Sequence, residues 1–184
     1  MNTPRIALQV IGSRKIPLLP ALRRLLRLLQ ITQGSWTIKF VRDPEMAALH
    51  RRTLGIPTTT DVLTFDLRET PRRGKSKPRT QNSELRTSAP LDLDTVISLD
   101  VARRRAHEFR HPLRHELLLY CLHSLLHVQG YDDTTPAQSW EMHAREDQLL
   151  TQIGIGPVYA QCKTHSSKNR KSKIKIRKST WRAP

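Results

Sequence analysis

The chain is short of cysteine, of acidic residues and of long apolar runs, and each shortage excludes something. Only Cys121 and Cys162 occur among 184 residues, far apart and in no CxxC pair. Such spacing builds neither a disulfide framework nor a cysteine zinc site, and it suits a reducing compartment. Sixteen acids face 32 lysines and arginines, a net charge of +16. A field of that sign favours polyanions: RNA, DNA, ribosomes or anionic membrane surfaces. The apolar share is 37%, low for a globular chain and unevenly spread. MNTPRIALQVIGSRK, at the N-terminus, has no full hydrophobic region followed by a small-residue cleavage site. PLLPALRRLLRLLQ is interrupted by Arg23, Arg24 and Arg27 and is too polar to span a bilayer. The expectation is a soluble cytoplasmic protein with no membrane partner. No internal repeat is visible, and the length fits one domain with something left over.

Periodicity supplies the elements. IALQVI (6–11) reads as a strand stopped by Gly12. Leucines 18, 19, 22, 25, 26 and 29 share one helical face with arginines opposite; those arginines read either as a solvated face or as RNA contacts. SWTIKFV (35–41) alternates like a strand, and Asp43-Pro44-Glu45 then opens a helix with Asp43 as its cap. DVLTFDL (61–67) and TVISLDV (95–101) read as two further strands. Between them, residues 68–92 are rich in Pro, Ser, Arg and Lys without periodicity, as expected of a long mobile loop. A helix runs through ARRRAHEF, a strongly apolar one follows from Leu113 to about Val128, and Thr134-Thr135-Pro136 caps a last one reaching about Ile153. From Lys163 onward there are nine basic residues and no acid, so this stretch carries nine of the sixteen net charges. It is expected to be disordered alone, either as a solubiliser or, by release of phosphate counterions, as a nucleic-acid arm.

The chemistry concentrates in HSLLHVQGYDD, residues His123 to Asp133. Glu116, Tyr120, His123 and His127 follow the spacing that places them on one helix face. Two imidazoles at i and i+4 can bind one metal ion, although in a leucine-rich helix they also read as packed histidines. Gly130 stands where a helix that must stop places a left-handed residue, so the chain can turn and Asp133 can return as a third ligand. Three protein ligands leave a position for water, the mark of a catalytic site. HxxxHxxGxxD also matches a metalloprotease pattern whose base is a glutamate after the first histidine, but here that residue is Ser124, a poor base. With +16 charge and no secretory features, the peptidase reading is rejected.

These residues resemble the rRNA maturation factor YbeY family of metal-dependent endoribonucleases. Against the family's H-[GS]-x-L-H-L-x-G-Y-D-H, His123 to Asp133 reads HSLLHVQGYDD, and against its T-D-V-L-S-F stands Thr60-Asp61-Val62-Leu63-Thr64-Phe65. TVISLDVARRRA followed by His115-Glu116 and the run to His123 matches a third block, and Met142-His143-Ala144-Arg145-Glu146 opens a fourth. The resemblance covers about residues 5–158 and implies an α/β domain over 1–158, with a basic tail over 159–184. Its fold would be a mixed, mostly parallel four-stranded sheet covered by helices, with one Zn2+ in a cleft between the HxxxH helix and the TDVL strand.

The resemblance implies cleavage of single-stranded RNA in rRNA processing, notably at the small-subunit 3′ end, and in ribosome quality control, with the ribosome or small subunit as partner. The metal ligands would be His123, His127 and Asp133. Two departures stand out. Asp133 replaces the family's third histidine, which makes the ion a weaker Lewis acid. The family's phosphate-binding arginine slot holds Leu54, which leaves Arg51 or Arg52 to supply the guanidinium. Thr60 and Asp61 would shape the cleft, Asp61 reading equally as a structural cap. Glu116 reads either as the carboxylate that holds a ligand histidine or as a solvated residue. His143 and Asp132 are spare ligands, and Tyr131 is packing. The rival reading is a non-catalytic RNA- or ribosome-binding assembly factor with a vestigial metal site.

Overall fold

The computed structural model describes residues 5–12, 16–68, 90–159 and 180–181. Alternating exposure along Arg5–Ile11 marks the first strand, β1. Helix α1, Leu19–Leu28, buries Leu22, Leu25 and Leu26, with Leu18 and Leu29 buried at its flanks. Leu19, expected on the buried face, is exposed; it lies at the edge of that stripe, beyond the reach of the core. Strand β2 is Gln33–Val41 and helix α2 is Asp43–Leu54.

Asp43 does not cap α2 as expected. Arg42 is the capping residue and makes no side-chain cap bond. The Asp43 carboxylate instead accepts from Ser98 Oγ at 2.7 Å, Thr59 Oγ1 at 3.2 Å and Arg104 at 2.7 Å. Burial works to raise its pKa, but the bonds from Arg104 and Ser98 outweigh that effect and hold it below the usual carboxylate value. One aspartate thus ties α2 to the elements that follow it.

Those elements are β3 (Val62–Asp66), β4 (Leu91–Ser98), α3 (Leu99–Glu108), α4 (Leu113–Gln129) and α5 (Pro136–Gln152). Strand β4 starts and ends earlier than the expected 95–101. Ser98 stops it, because its hydroxyl accepts from the Val101 N–H at 3.2 Å and caps α3. The connection expected over 68–92 therefore ends before Leu91, and residues 69–89 lie outside the described residues. Helix α5 begins on a capping box formed by Thr135 and Gln138, as the Thr-Pro pair predicts.

The sheet runs β1-β2-β4-β3, with β1 and β2 parallel, β2 and β4 parallel, and β3 antiparallel to β4. This is the mixed α/β arrangement expected. A two-residue strand, β5 (Thr180–Trp181), adds to it beyond β3, parallel, with Thr64 opposite Thr180. The rest of the basic tail, 160–179 and 182–184, lies outside the described residues, and so does the disorder expected of it.

Strand alternation assigns β3 to two cores. Leu63 points to a small cluster with Val41, Met46 and Val96, which α2 covers. Val62 packs on the large cluster, where α1, α4 and α5 meet Trp36, Ile38 and Leu93. Trp36 is fully buried and donates its indole N–H to Thr95 at 2.9 Å, which satisfies the one polar atom it takes inside. Among the described residues, no helix is long and apolar enough to cross a membrane.

Candidate metal centre

Helix α4 is buried nearly all round, so its side chains are placed by packing and not by solvent. It ends where Gly130 adopts φ +102°, and the Gly130 and Tyr131 N–H groups return to the carbonyls of His127 and Leu126. The turn that follows is fixed by Asp132, whose carboxylate accepts from the Asp133 N–H at 2.9 Å and the Thr134 hydroxyl at 2.7 Å. Asp132, expected as a spare ligand, is thus committed to aiming its neighbour. Asp133 Oδ1 comes to 3.8 Å from His127 Nε2. His123, His127 and Asp133 offer ligand atoms that all lie within 4.8 Å of one another.

The histidine hydrogen bonds decide what these atoms are. His127 Nδ1 lies 3.2 Å from the Tyr131 carbonyl, which can only accept, so Nδ1 carries the proton. His123 Nδ1 lies 2.8 Å from Glu146 Oε1. Burial raises the Glu146 pKa, but bonds from His123 and His143 more than reverse that, so the carboxylate is ionised and His123 donates. Both Nε2 atoms are then left to face each other, 3.0 Å apart. Two lone pairs cannot share that space without a positive charge between them, either a proton or a metal ion. Two nitrogens on one tetrahedral zinc, each at ~2.0–2.1 Å, lie roughly 3.3 Å apart. The donor set fits.

Burial lowers the pKa of His123, but Glu146 outweighs it and raises it above the ordinary value. His127 goes the other way, lowered by burial and by the charge on His123.

Two expected roles are reassigned. Glu116 was a candidate for holding a ligand histidine. Its carboxylate instead takes His111 Nε2 at 2.9 Å and the Tyr120 hydroxyl, a turn or more from the site. Glu146 holds His123, and its second oxygen takes His143 Nδ1 at 2.6 Å, so that nitrogen of His143 is not a spare ligand. Sequence reasoning missed Glu146, although a signal existed. It is an acid on the buried face of α5, among Met142, Leu149 and Leu150, where only a paired carboxylate is tolerated.

The remaining site residues fall around this cluster. Asp61 does what a structural cap does: its carboxylate accepts from the Val62 N–H at 2.8 Å and the Thr60 hydroxyl at 3.1 Å. Its charge also acts on His123 and Tyr120, so it borders the cleft as well. Ser124 is buried, its hydroxyl 2.6 Å from Thr64 Oγ1, so the position a protease gives its glutamate faces β3 here. Tyr131 packs on the large core as expected, and its carbonyl adds the unexpected role of orienting His127. Leu54 packs against the small core, while Arg51 and Arg52 are exposed on the last turn of α2, outside the histidine cluster.

A family model described as Endoribonuclease YbeY matches residues 20–154. A Moorella thermoacetica protein of that name is 32% identical over 143 residues, 75% of this chain and 88% of that one. A namesake from Brevibacillus brevis is 30% identical over 127 residues, 69% of this chain and 79% of its own. One from Anaeromyxobacter is 38% identical over 119 residues, but the match spans only 54% of its length. Among solved structures, the solution structure of TM1509 from Thermotoga maritima superposes with a TM-score of 0.55 at 19% identity, covering 92% of this chain and 99% of that one. The matched segment contains α4, α5 and the turn between them, the whole frame of the histidine cluster. On that match, the chain belongs to the YbeY endoribonuclease family.

Proposed function

We propose that this chain is a metal-dependent endoribonuclease that cleaves single-stranded RNA in rRNA processing, at the small-subunit 3′ end, and serves ribosome quality control in the cytoplasm. The observation that carries the metal is the pair of Nε2 atoms 3.0 Å apart, with both Nδ1 protons committed elsewhere. His123, His127 and Asp133 are the residues to hold the ion, and zinc suits two imidazoles and one carboxylate. When bound, the ion supplies a Lewis acid that makes water more acidic and neutralises charge building on the phosphate.

The chain supplies the rest. Glu146 and the Tyr131 carbonyl hold the two rings in the tautomer that leaves Nε2 available. Ser124, bonded to Thr64, takes no proton from water, so the site works without a side-chain base. Arg51 or Arg52 brings the guanidinium that meets the phosphate. The excess of 16 positive charges draws the polyanion in.

Purified protein loaded with zinc is expected to cut single-stranded RNA, while His127→Ala falls to the background of RNA in buffer. Equal residual cleavage by both sinks the enzyme reading. The domain is proposed to span 1–158, with 159–184 a nucleic-acid arm. Deleting 163–184 is expected to weaken RNA or ribosome binding and flatten its salt dependence, since nine cations leave with it. An unchanged salt slope would make the tail a solubiliser only.

A further inference from the structure

Glu146 has no exposed surface, and each of its oxygens takes one imidazole proton, from His123 at 2.8 Å and from His143 at 2.6 Å. The chain of contact continues outward. The His143 and His123 rings are near parallel, 19° apart with centroids at 6.1 Å. Tyr159 lies flat on the other side of His143, with centroids 3.5 Å apart and an interplanar angle of 13°. Tyr159 is itself pinned, because its N–H donates to Asp147 Oδ1 at 2.8 Å and Val158 beside it is buried in the large core. A line of contacts therefore runs from the segment after α5, through Tyr159, His143 and Glu146, to Nδ1 of His123.

A carboxylate that merely clamps α5 to α4 needs one partner on the neighbouring helix. Here the second oxygen is bonded within α5 to His143, whose ring is held by an aromatic stack. That arrangement fixes the direction of the carboxylate as well as its presence, and so fixes the plane of the His123 ring. Orientation of a ligand imidazole by such partners is worth tenfold to a hundredfold in metal affinity.

We propose that Glu146 is the positioning residue of the metal centre and that Tyr159, through His143, sets its direction, so that the segment after α5 is coupled to the site. This rests on the reading that His123 is a metal ligand.

Two readouts on the full chain test it: zinc affinity by competition with a chelator, and histidine tautomers by nitrogen–proton NMR of the metal-free protein. Glu146→Gln keeps one acceptor oxygen but turns the other into an NH2 donor, so it cannot accept from both imidazoles. It is expected to bind zinc about 10–100-fold more weakly and to change the tautomer of His123 or His143. Tyr159→Phe keeps the ring stacked on His143 and is expected to keep the His123 tautomer. Tyr159→Ala weakens zinc binding severalfold and moves the His123 and His143 signals together, although neither residue was touched. Tyr159 is only half-buried, so these two variants fold even if a Glu146 variant does not. Glu146→Gln with wild-type affinity and tautomer overturns the role of Glu146. Tyr159→Ala with unmoved His123 signals and unchanged affinity overturns the coupling. A wild type that takes up no zinc overturns the metal reading itself, which separates the two failures.

Discussion

Helix α4 carries a buried histidine–carboxylate pair near each end, and only one of them is a candidate metal site. At the N-terminal end His111 Nε2 lies 2.9 Å from Glu116 Oε2 as an ion pair, and Nδ1 donates to the Pro112 carbonyl at 3.3 Å. Both nitrogens are taken, the two side chains are 2% and 4% exposed, and Tyr120 closes the cluster by donating to Glu116. Toward the C-terminal end Glu146 takes only Nδ1 of His123, whose side chain is 17% exposed, and Nε2 is left facing His127. The lesson concerns which ring nitrogen the carboxylate leaves over, since the residue types are the same. A buried pair with both nitrogens satisfied holds helices together; a pair with one left over, aimed at a second imidazole, is prepared for a cation.

The comparison breaks most visibly through stability. Glu116→Ala leaves the His111 imidazole and the Tyr120 hydroxyl without their buried acceptor, a loss of roughly 1–3 kcal/mol. Chemical denaturation is expected to show that loss with zinc stoichiometry unchanged. If instead zinc is lost while stability holds, the two ends of α4 have been assigned the wrong way round. Asp133→His acts only at the other end. Replacing a carboxylate by an imidazole returns one unit of positive charge to the site, so bound water becomes more acidic. Cleavage should rise severalfold at equal zinc content, with stability little changed; a fall in cleavage would show that the carboxylate is needed for more than binding.

Much of this was legible in the sequence, for local reasons. HxxxH on an apolar helix, Gly130 to end it and an aspartate three residues later specify the cluster without knowledge of any partner, because spacing along a helix is geometry. The capping box at Thr135 and the order of strands and helices are legible in the same way. What the sequence concealed was pairing across distance. Glu116 sits seven residues before His123 on its own helix face, so it looked like the orienting acid, yet a nearer cation, His111, claims it. Glu146 stands 23 residues from His123 and is brought there only when α5 folds back on α4. The Asp43 misreading has the same origin: a side chain suited to a local cap is taken by Ser98 and Arg104, more than fifty residues away.

The smallest effect is one of pH, and it separates the two ends by sign. Burial lowers the pKa of His111, but the bond and charge of Glu116 outweigh it, so its folded pKa lies above the ordinary histidine value. Its contribution to stability is therefore fully present below about pH 6.5 and is lost as pH rises through the folded value. Metal uptake runs the opposite way. Metal uptake requires deprotonated imidazoles, so zinc affinity is expected to fall as pH drops. Acid thus tightens one end of α4 and empties the other. Denaturation midpoints of wild type and Glu116→Gln, followed from pH 6 to 8, should converge as pH rises, while chelator competition over the same range shows zinc binding strengthen. If both curves move in the same direction, the leftover nitrogen of His123 does not distinguish the two pairs.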